Sequence, residues 1–229
     1  MSQKPTLKID WASHEAAKFA CVNWHYSKCL PIGKLVKVGV WEDGKYIGCI
    51  IYSRGTARHL GTAYGLTQAE CVELTRVALK SHKSPVSKML ALSLKFLKRS
   101  NPNIKLVVSF AAKSQNHHGG IYQATNWIYA GETAPNAEVT YKGKRLTNRA
   151  FMQMVCDSPY SLNEWIEKGW VQDVVKLSKH RYLMPLDDKV KQRVAKLAKP
   201  YPKRTKEQAL GDQPSLGGAT PTCTLQSHA

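Results

Sequence analysis

One short stretch of the sequence carries several side chains suited to chemistry or recognition. Residues 24–27 read Trp-His-Tyr-Ser, and Lys34 follows a proline and a glycine that end any regular element. An imidazole exchanges protons near neutral pH, hydroxyls donate or accept hydrogen bonds, and an indole offers a stacking surface. Such residues in a loop favour recognition. The alternative is that Trp24 and Tyr26 anchor the core while His25 forms a surface hydrogen bond.

A second stretch has the properties of an anion-binding site. The loop at 80–84, Lys-Ser-His-Lys-Ser, precedes an amphipathic helix that is predicted to begin at Pro85 with Ser84 as its N-cap. Unpaired backbone N–H groups and the positive end of the helix dipole meet there, beside two lysines. This predicts a phosphate site. An ordinary capped helix beside solvated lysines is the alternative.

Three consecutive elements would position these side chains. A strand at 70–79, the helix at 85–100 and an almost wholly apolar strand at 104–111 make a βαβ unit, because only a strand covered on both faces is apolar at nearly every position. Before this unit, residues 34–53 alternate around Asp43-Gly44, which predicts a hairpin. The chemistry is expected at the open ends of the two core strands.

The segment at about 133–178 is predicted to be an insertion. It contains a second hairpin around Lys142-Gly143 and two short helices, 148–156 and 162–168. Basic residues interleaved with aromatic ones suit a nucleic-acid strand or an extruded base. A solvated cap with its aromatic residues in a small core explains the same composition.

The charge balance predicts a polyanionic partner. The 229 residues include 34 Lys and Arg against 16 Asp and Glu, a formal net charge of +18. Such a field attracts DNA or RNA at long range. An anionic membrane is the weaker alternative, because no helix combines a basic face with a strongly aromatic one.

Composition also bounds the organisation of the chain. The six cysteines have no CxxC spacing, so reduced thiols are expected rather than a zinc ribbon or a disulfide framework. No run of 18 apolar residues and no signal peptide is present, which predicts a soluble intracellular protein. One domain is expected over 1–186, followed by a basic, largely disordered tail over 187–229.

Two segments resemble the GNAT acyltransferase family. Residues 121–132 resemble the end of that family's core, and 74–79 resemble its pyrophosphate-side strand. Asn126 stands where the family usually has glycine, a mild departure because asparagine tolerates the left-handed conformation. The loop at 81–85 lacks the family's glycine-rich acyl-CoA signature, which puts CoA in doubt as the donor. The positions that match are Tyr122, Trp127 and Gly131.

The resemblance implies roles for residues at the strand ends. Tyr122 matches the family's acid position, and Glu73 lies where acyltransferases often have a carboxylate. Glu73 or His25 would serve as base, unless Glu73 is merely paired with Arg76 or Arg54. The expected catalytic residues are His25, Tyr26, Glu73, Ser109 and Tyr122. The expected donor-binding residues are Val77, Lys80, Ser81, Lys83, Ser84 and Asn116.

Five stretches together are similar to the Mom family of DNA adenine-modification proteins of Mu-like phages. They are 25–27, 34–55, 70–79, 117–132 and 179–186, and the likeness spans about 17–186. It implies a GNAT-like fold and an enzyme of the host bacterial cytoplasm that places a carbamoylmethyl group on adenine N6 in double-stranded phage DNA, which protects that DNA from restriction enzymes. The expected DNA-binding residues are Trp24, Lys34, Arg54, Lys142, Arg145 and Arg149.

The implied product restricts the donor, because acetyl transfer would leave an amide carbonyl on N6 instead of an N–CH2 bond. In one route acetyl-CoA is the donor and a redox metal such as iron activates the methyl group. Its candidate ligands are His25, Tyr26, His117 and His118. In the other, glycyl-tRNA or a similar donor transfers a glycyl group to N6. The glycyl amine then attacks ring C6, and the rearrangement yields N6–CH2–CONH2.

Two other functions remain open at this point. An ordinary GNAT-type N-acetyltransferase acting on a protein or small amine would release CoA without DNA. A non-catalytic DNA-binding protein would bind DNA with a steep salt dependence and leave the bases unchanged. For each of them the predicted fold class is α/β (α+β), a mixed, mostly antiparallel sheet with a central βαβ unit and an inserted basic hairpin and helical element.

Overall fold

The computed structural model describes residues 4–54, 59–113 and 117–203. Two sheets are present in this part of the chain, one of seven strands in the order β1-β2-β3-β4-β5-β10-β6 and one of three in the order β8-β7-β9. The strands are β1 Leu7–Trp11, β2 Leu35–Glu42, β3 Lys45–Ser53, β4 Cys71–Leu79, β5 Leu106–Ala112, β6 Ile128–Glu132, β7 Asn136–Tyr141, β8 Lys144–Thr147, β9 Gln172–Leu177 and β10 Lys179–Pro185. The helices are α1 His14–Trp24, α2 Val86–Ser100, α3 Gly120–Gln123, α4 Asn148–Met154, α5 Leu162–Glu167 and α6 Asp188–Ala195.

The first half of the large sheet follows from local sequence. β2 and β3 form the predicted antiparallel hairpin. Asp43 and Gly44 at its turn have φ values of 50° and 76°, the left-handed conformations that a two-residue hairpin turn needs. α1 begins after Ser13, whose Oγ accepts a hydrogen bond from the Ala16 amide at 3.1 Å. The small buried residues Ala17, Ala20 and Cys21 let this helix approach the sheet closely.

The central βαβ unit is present as predicted. β4 and β5 pair in parallel, and α2 covers one face of the sheet with Met89, Leu90 and Leu97 fully buried. The other pairings within the seven-stranded sheet are antiparallel. The predicted fold class, a mixed and mostly antiparallel GNAT-like sheet, is therefore confirmed.

The closing part of the core depends on two residues with positive φ. Gly119 (φ 85°) precedes α3, and a Cβ there would lie 2.3 Å from Cε2 of Tyr182. Asn126 has φ 58°, which is the left-handed conformation expected of it. β10 then lies between β5 and β6 and is antiparallel to both.

The insertion folds as a unit with a core of its own. β7 pairs with β8 around the Lys142-Gly143 turn and with β9 on its other side. Val139 and Phe151 are fully buried, and Tyr141 and Trp165 pack against them. The predicted hairpin and the two helices are thus observed, whereas β9 was not predicted.

The chain after β10 includes a sixth helix and packs against the core. α6 is capped by the Asp187 carboxylate, which accepts the Val190 amide at 3.1 Å, and its buried Val190 and Val194 pack on the core. Further on, the Tyr201 hydroxyl donates to the Trp127 carbonyl at 2.6 Å. The first part of the expected tail therefore packs on the domain, and residues 204–229 lie outside the described part. Among the described helices, none has the length and apolar character needed to cross a membrane.

Candidate active site

A cleft opens where the two parallel core strands separate. Their pairing runs from Cys71 opposite Leu106 to Leu74 opposite Ser109. Beyond that point β4 continues to Leu79 and β5 to Ala112 with no pairing between them. Ser109 Oγ lies 3.0 Å from the Leu74 carbonyl oxygen, so it spans the two strands at their last parallel pair. Strand ends that diverge in this way expose side chains of both strands to one space.

Ser109 and Tyr122 form a buried hydroxyl pair beside this cleft, with 2.8 Å between their oxygens. A serine hydroxyl has a single proton. If that proton goes to the Leu74 carbonyl, the Tyr122 hydroxyl must donate to Ser109 Oγ. Burial raises the pKa of Tyr122 to about 12, so its phenol stays protonated at neutral pH. Tyr122 therefore has the state that a general acid or hydrogen-bond donor requires.

Glu73, on β4, is the carboxylate of the cleft. Burial raises its pKa, and the positive charges of Lys179 and Arg76 oppose that shift. Within the described residues no ion pair involves Glu73, because the guanidinium of Arg76 instead donates to the Thr75 carbonyl at 2.7 Å and lies 3.9 Å from Cys29 Sγ. The alternative that Glu73 is paired with Arg76 or Arg54 is therefore wrong for the described structure. A half-buried carboxylate with a raised pKa and no ion pair is a suitable general base.

Arg76 is the site residue that sequence reasoning treated only as a partner for Glu73. Its charge acts on the pKa values of Glu73, His25 and Tyr26. Its Nε is buried and has no hydrogen-bond partner in the described structure. The signal in the sequence was a single cation in the otherwise uncharged run 74–79. Arg76 therefore places a buried donor without a hydrogen-bond partner beside the other residues of the candidate site.

His25 and Tyr26 reach the same region from the end of α1. Their rings lie 4.2 Å apart, and the Tyr26 ring meets His117 edge-on at 5.6 Å. Tyr26 also lies close enough to Tyr122 to raise its pKa electrostatically. The structure thus brings the five predicted catalytic residues into one neighbourhood, although the chain separates them by up to 97 positions, the difference between 25 and 122.

The hydrogen bonds of His25 determine which ring nitrogen carries the proton in the neutral imidazole. Its Nδ1 accepts the Ser27 amide at 3.1 Å and lies 2.8 Å from Ser27 Oγ. Because an amide only donates, Nδ1 carries no proton in the neutral ring, which therefore holds its proton on Nε2. Burial, then the charges of Arg76, His117 and Lys28, lower the pKa of His25 to about 4. His25 is consequently a neutral Nε2–H donor, which does not suit the role of base that the sequence suggested for it.

The predicted phosphate loop is closed by a residue from another strand. The Glu42 carboxylate accepts the amide of Lys83 at 2.9 Å and that of Ser84 at 2.7 Å, and these hydrogen bonds lower its pKa. α2 also begins one residue later than predicted, at Val86, with Pro85 rather than Ser84 at the cap position. The expectation that the N–H groups of Lys83 and Ser84 await a donor phosphate is therefore wrong, since an internal anion already holds them.

The other expected donor-binding residues have different surroundings. Lys80 is exposed and its Nζ lies 5.6 Å from the centre of the Trp24 ring. Ser81 is exposed, whereas Val77 is half-buried and packs against the main core. Asn116 lies outside the described residues.

Three of the expected metal ligands, His25, Tyr26 and His117, lie near one another. Among the described residues, no group of three His, Cys, Asp or Glu side chains has a geometry that could hold a metal ion. Nδ1 of His25 is occupied by Ser27, and His117 contacts Tyr26 through its ring edge. The carbonyl of His118 accepts the Tyr182 hydroxyl. An iron site formed by His25, Tyr26, His117 and His118 stays a prediction, which no described group of three His, Cys, Asp or Glu side chains supports.

The expected DNA-binding residues divide into two groups. Lys34, Arg54 and Lys142 are exposed. Trp24 is half-buried, packs against the buried cluster of α1 and β3, and lies 5.3 Å from Phe19 between ring centres. Its contact with DNA stays a prediction. The side chains of Arg145 and Arg149 lie outside the described structure.

The aromatic residues of the insertion form its core. The rings of Tyr141, Phe151 and Trp165 contact one another edge-on, with centres 5.3 to 5.7 Å apart. Phe151 is fully buried. The small-core interpretation of this segment is therefore the one observed for these three residues.

Comparison with known proteins gives one match in sequence. The model of the Mom protein family matches residues 6–203. No curated protein sequence matches the chain.

Several solved structures have a similar course of the main chain. A proposed acetyltransferase from Acinetobacter baylyi ADP1 is 10% identical, with 82% of this chain and 96% of that one covered and a TM-score of 0.45. A proposed phosphinothricin N-acetyltransferase is 9% identical, with coverages of 80% and 99% and a TM-score of 0.45. The aminoglycoside acetyltransferase AAC(6')-Ib, solved with coenzyme A, is 11% identical, with coverages of 66% and 99% and a TM-score of 0.41.

Proposed function

We propose, from the premise that this chain belongs to the Mom protein family, that it is a transferase which converts adenine in double-stranded DNA to N6-carbamoylmethyladenine and so protects phage DNA from restriction in the host. The observation that supports this most directly is the half-buried Glu73, which has a raised pKa and no ion pair among the described residues and lies beside the Ser109–Tyr122 pair. The net charge of +18 favours association with a polyanion.

The cleft residues have forms that suit acyl transfer to a weak nucleophile. The N6 lone pair is delocalised into the purine ring, so attack needs removal of an N6 proton and stabilisation of the carbonyl oxygen. Glu73 would accept the proton, because its raised pKa makes it a stronger base than an exposed glutamate. Nε2–H of His25 and the guanidinium of Arg76 are the donors available for the oxygen, and Tyr122 would protonate the leaving group.

The closed loop at the start of α2 favours the glycyl donor over acetyl-CoA. A CoA pyrophosphate bound in the GNAT manner would need the amides that Glu42 holds. A glycyl group carried by tRNA does not depend on them. After transfer, the glycyl amine attacks ring C6, the bond from C6 to the original N6 breaks, and that nitrogen takes a proton to become the terminal amide. Atoms balance without an oxidant, and the product is N6–CH2–CONH2.

The effect of Glu42 can be measured directly. We expect Glu42→Gln to bind CoA roughly tenfold or more tightly than the wild type, because the substitution removes a negative charge within a few ångströms of the phosphate position. Isothermal titration with CoA gives the two affinities, and Glu15→Gln, which removes an exposed charge on α1, is the control. Equal CoA affinity in the wild type and Glu42→Gln would show that the loop does not exclude this donor.

The proposed function itself is tested by mass spectrometry of nucleosides from plasmid DNA of cells that express the chain. We expect a deoxyadenosine with an added carbamoylmethyl group. Purified protein with DNA and either glycyl-tRNA or acetyl-CoA then identifies the donor. Unmodified deoxyadenosine in cells that contain folded, DNA-binding protein would reject the proposal in favour of a DNA-binding protein, and CoA release with an amine in the absence of DNA would favour an N-acetyltransferase.

A further inference from the structure

Among the described residues, one large apolar side chain is more exposed than the others and lies near the candidate site. Ile32 is 92% exposed in the loop that joins α1 to β2. Its neighbour Pro31 has a fixed φ, and Gly33 has a φ of 112°, a conformation that favours glycine. An isolated exposed isoleucine is common on protein surfaces. The position of this one, seven residues after His25, and the surface around it give it a specific meaning.

An open groove of about 540 Å³ runs beside this loop, between α1 and β2. Its lining includes three lysines, Lys18, Lys28 and Lys37, together with apolar side chains that include Leu30 and Ile32. No Asp or Glu is among the described residues that line it. A cationic groove with an apolar rim is complementary to a nucleic-acid strand, whose phosphates and bases need these two kinds of contact.

The groove and the cleft are adjacent. The charge of Lys28 acts on the pKa of His25, and Cys29, which also lines the groove, lies 3.9 Å from a guanidinium nitrogen of the cleft residue Arg76. A strand that occupied the groove would therefore pass the cleft within the reach of one nucleotide. Ile32 would face the duplex from which that nucleotide comes.

An enzyme that modifies adenine N6 in duplex DNA has to take the base out of the stack. Extrusion leaves a gap, and proteins that distort DNA fill such gaps with apolar side chains such as Ile, Leu or Pro. The side chain must protrude and its backbone must be held. Ile32 is almost wholly exposed, and the fixed φ of Pro31 restricts the backbone immediately before it.

We propose that Ile32 is a wedge that enters the DNA stack at the place vacated by the target adenine, while Lys18, Lys28 and Lys37 hold the phosphates of the same strand. This inference rests on the proposed function, because it takes a base in duplex DNA as the substrate. It assigns Ile32 a role in extrusion and none in the transfer of the acyl group.

The first test measures extrusion without requiring modification. A duplex with 2-aminopurine in place of the target adenine becomes fluorescent when that base is unstacked. We expect wild-type protein to raise the fluorescence and Ile32→Ala to raise it far less at saturating protein, with Ile32→Leu close to wild type. Met154→Ala, which trims another exposed apolar side chain in α4, is the matched control and should behave as wild type. Equal fluorescence with Ile32→Ala and wild type would overturn the proposal.

The second test separates a wedge from a structural role. Loss of the wedge is expected to lower modification of paired adenine by about 10- to 100-fold, since unstacking costs a few kcal/mol per step. The loss should largely disappear when the adenine lies opposite an abasic site, where extrusion costs less. An equal loss on both substrates would contradict the inference. Unmodified adenine with the wild type, together with a normal fluorescence response, would reject the proposed reaction and leave the wedge standing.

Discussion

Replacing Glu73 with glutamine is expected to lower the rate of adenine modification by about 10²- to 10⁴-fold, the usual contribution of a general base. Glutamine has nearly the same shape but cannot accept a proton from N6. Affinity for DNA should change little, because the phosphate contacts are expected elsewhere on the surface. Single-turnover modification, together with DNA affinity at fixed salt, measures the two quantities.

The same substitution is expected to leave the protein at least as stable as the wild type at neutral pH. Burial raises the pKa of Glu73 above that of the unfolded chain, so the folded state favours the protonated carboxyl. Its contribution to stability is therefore present below the unfolded pKa and is lost as the pH rises through the folded pKa. Glutamine removes this neutral-pH cost, and thermal unfolding at pH 5 and pH 8 should show a smaller pH dependence in the variant.

The Glu73→Gln prediction has a control substitution and an outcome that would contradict it. Glu167→Gln, at an exposed position of α5, should alter neither rate nor stability. The rate of the wild type should rise as the pH passes upward through the pKa of Glu73, and Glu73→Gln should lack that step. A variant that modifies adenine at the wild-type rate would eliminate Glu73 as the base.

Gly119→Ala is expected to destabilise the fold by about 2–4 kcal/mol, the sum of a left-handed backbone at a non-glycine residue and a forced overlap in the core. The added Cβ would lie 2.3 Å from the Tyr182 ring. That ring is fully buried and stands 5.0 Å from the ring of Tyr122. We therefore also expect a lower modification rate, because relief of the overlap displaces the ring that supports Tyr122.

Gly169→Ala separates the two contributions to this effect. Gly169 has φ 67°, and a Cβ there would have no atom within 4 Å. It should cost only about 1–2 kcal/mol, from the backbone conformation alone, and leave activity unchanged. Urea denaturation of both variants gives the comparison. Equal destabilisation would mean that Tyr182 moves aside at no cost.

Local sequence determined the elements that depend on neighbouring residues. The hairpin around Asp43-Gly44, the amphipathic α2 and the apolar β5 were predicted because turn chemistry and periodicity act over a few positions. The left-handed Asn126 belongs to the same class. β9 was missed because a six-residue strand with no strict alternation of apolar and polar residues is defined by its pairing with β7 rather than by its own pattern.

The surroundings of the loop before α2 were decided by tertiary structure. Its sequence correctly indicates a helix N-terminus that needs an anion. The anion is the carboxylate of Glu42 at the end of β2, 42 positions before Ser84. No local pattern links a carboxylate at the end of β2 to an amide before α2. The prediction of an open phosphate site failed for that reason.

The candidate active site shows the same division. The resemblance to acyltransferases predicted roles for Glu73 and Tyr122, and Ser109 was predicted from its place near the end of an apolar core strand. These roles remain predictions. The absence of an ion pair at Glu73, the proton on Nε2 of His25 and the central position of Arg76 were decided only by the fold. Protonation states depend on burial and on charges that come from distant parts of the chain, and only the tertiary structure sets those distances.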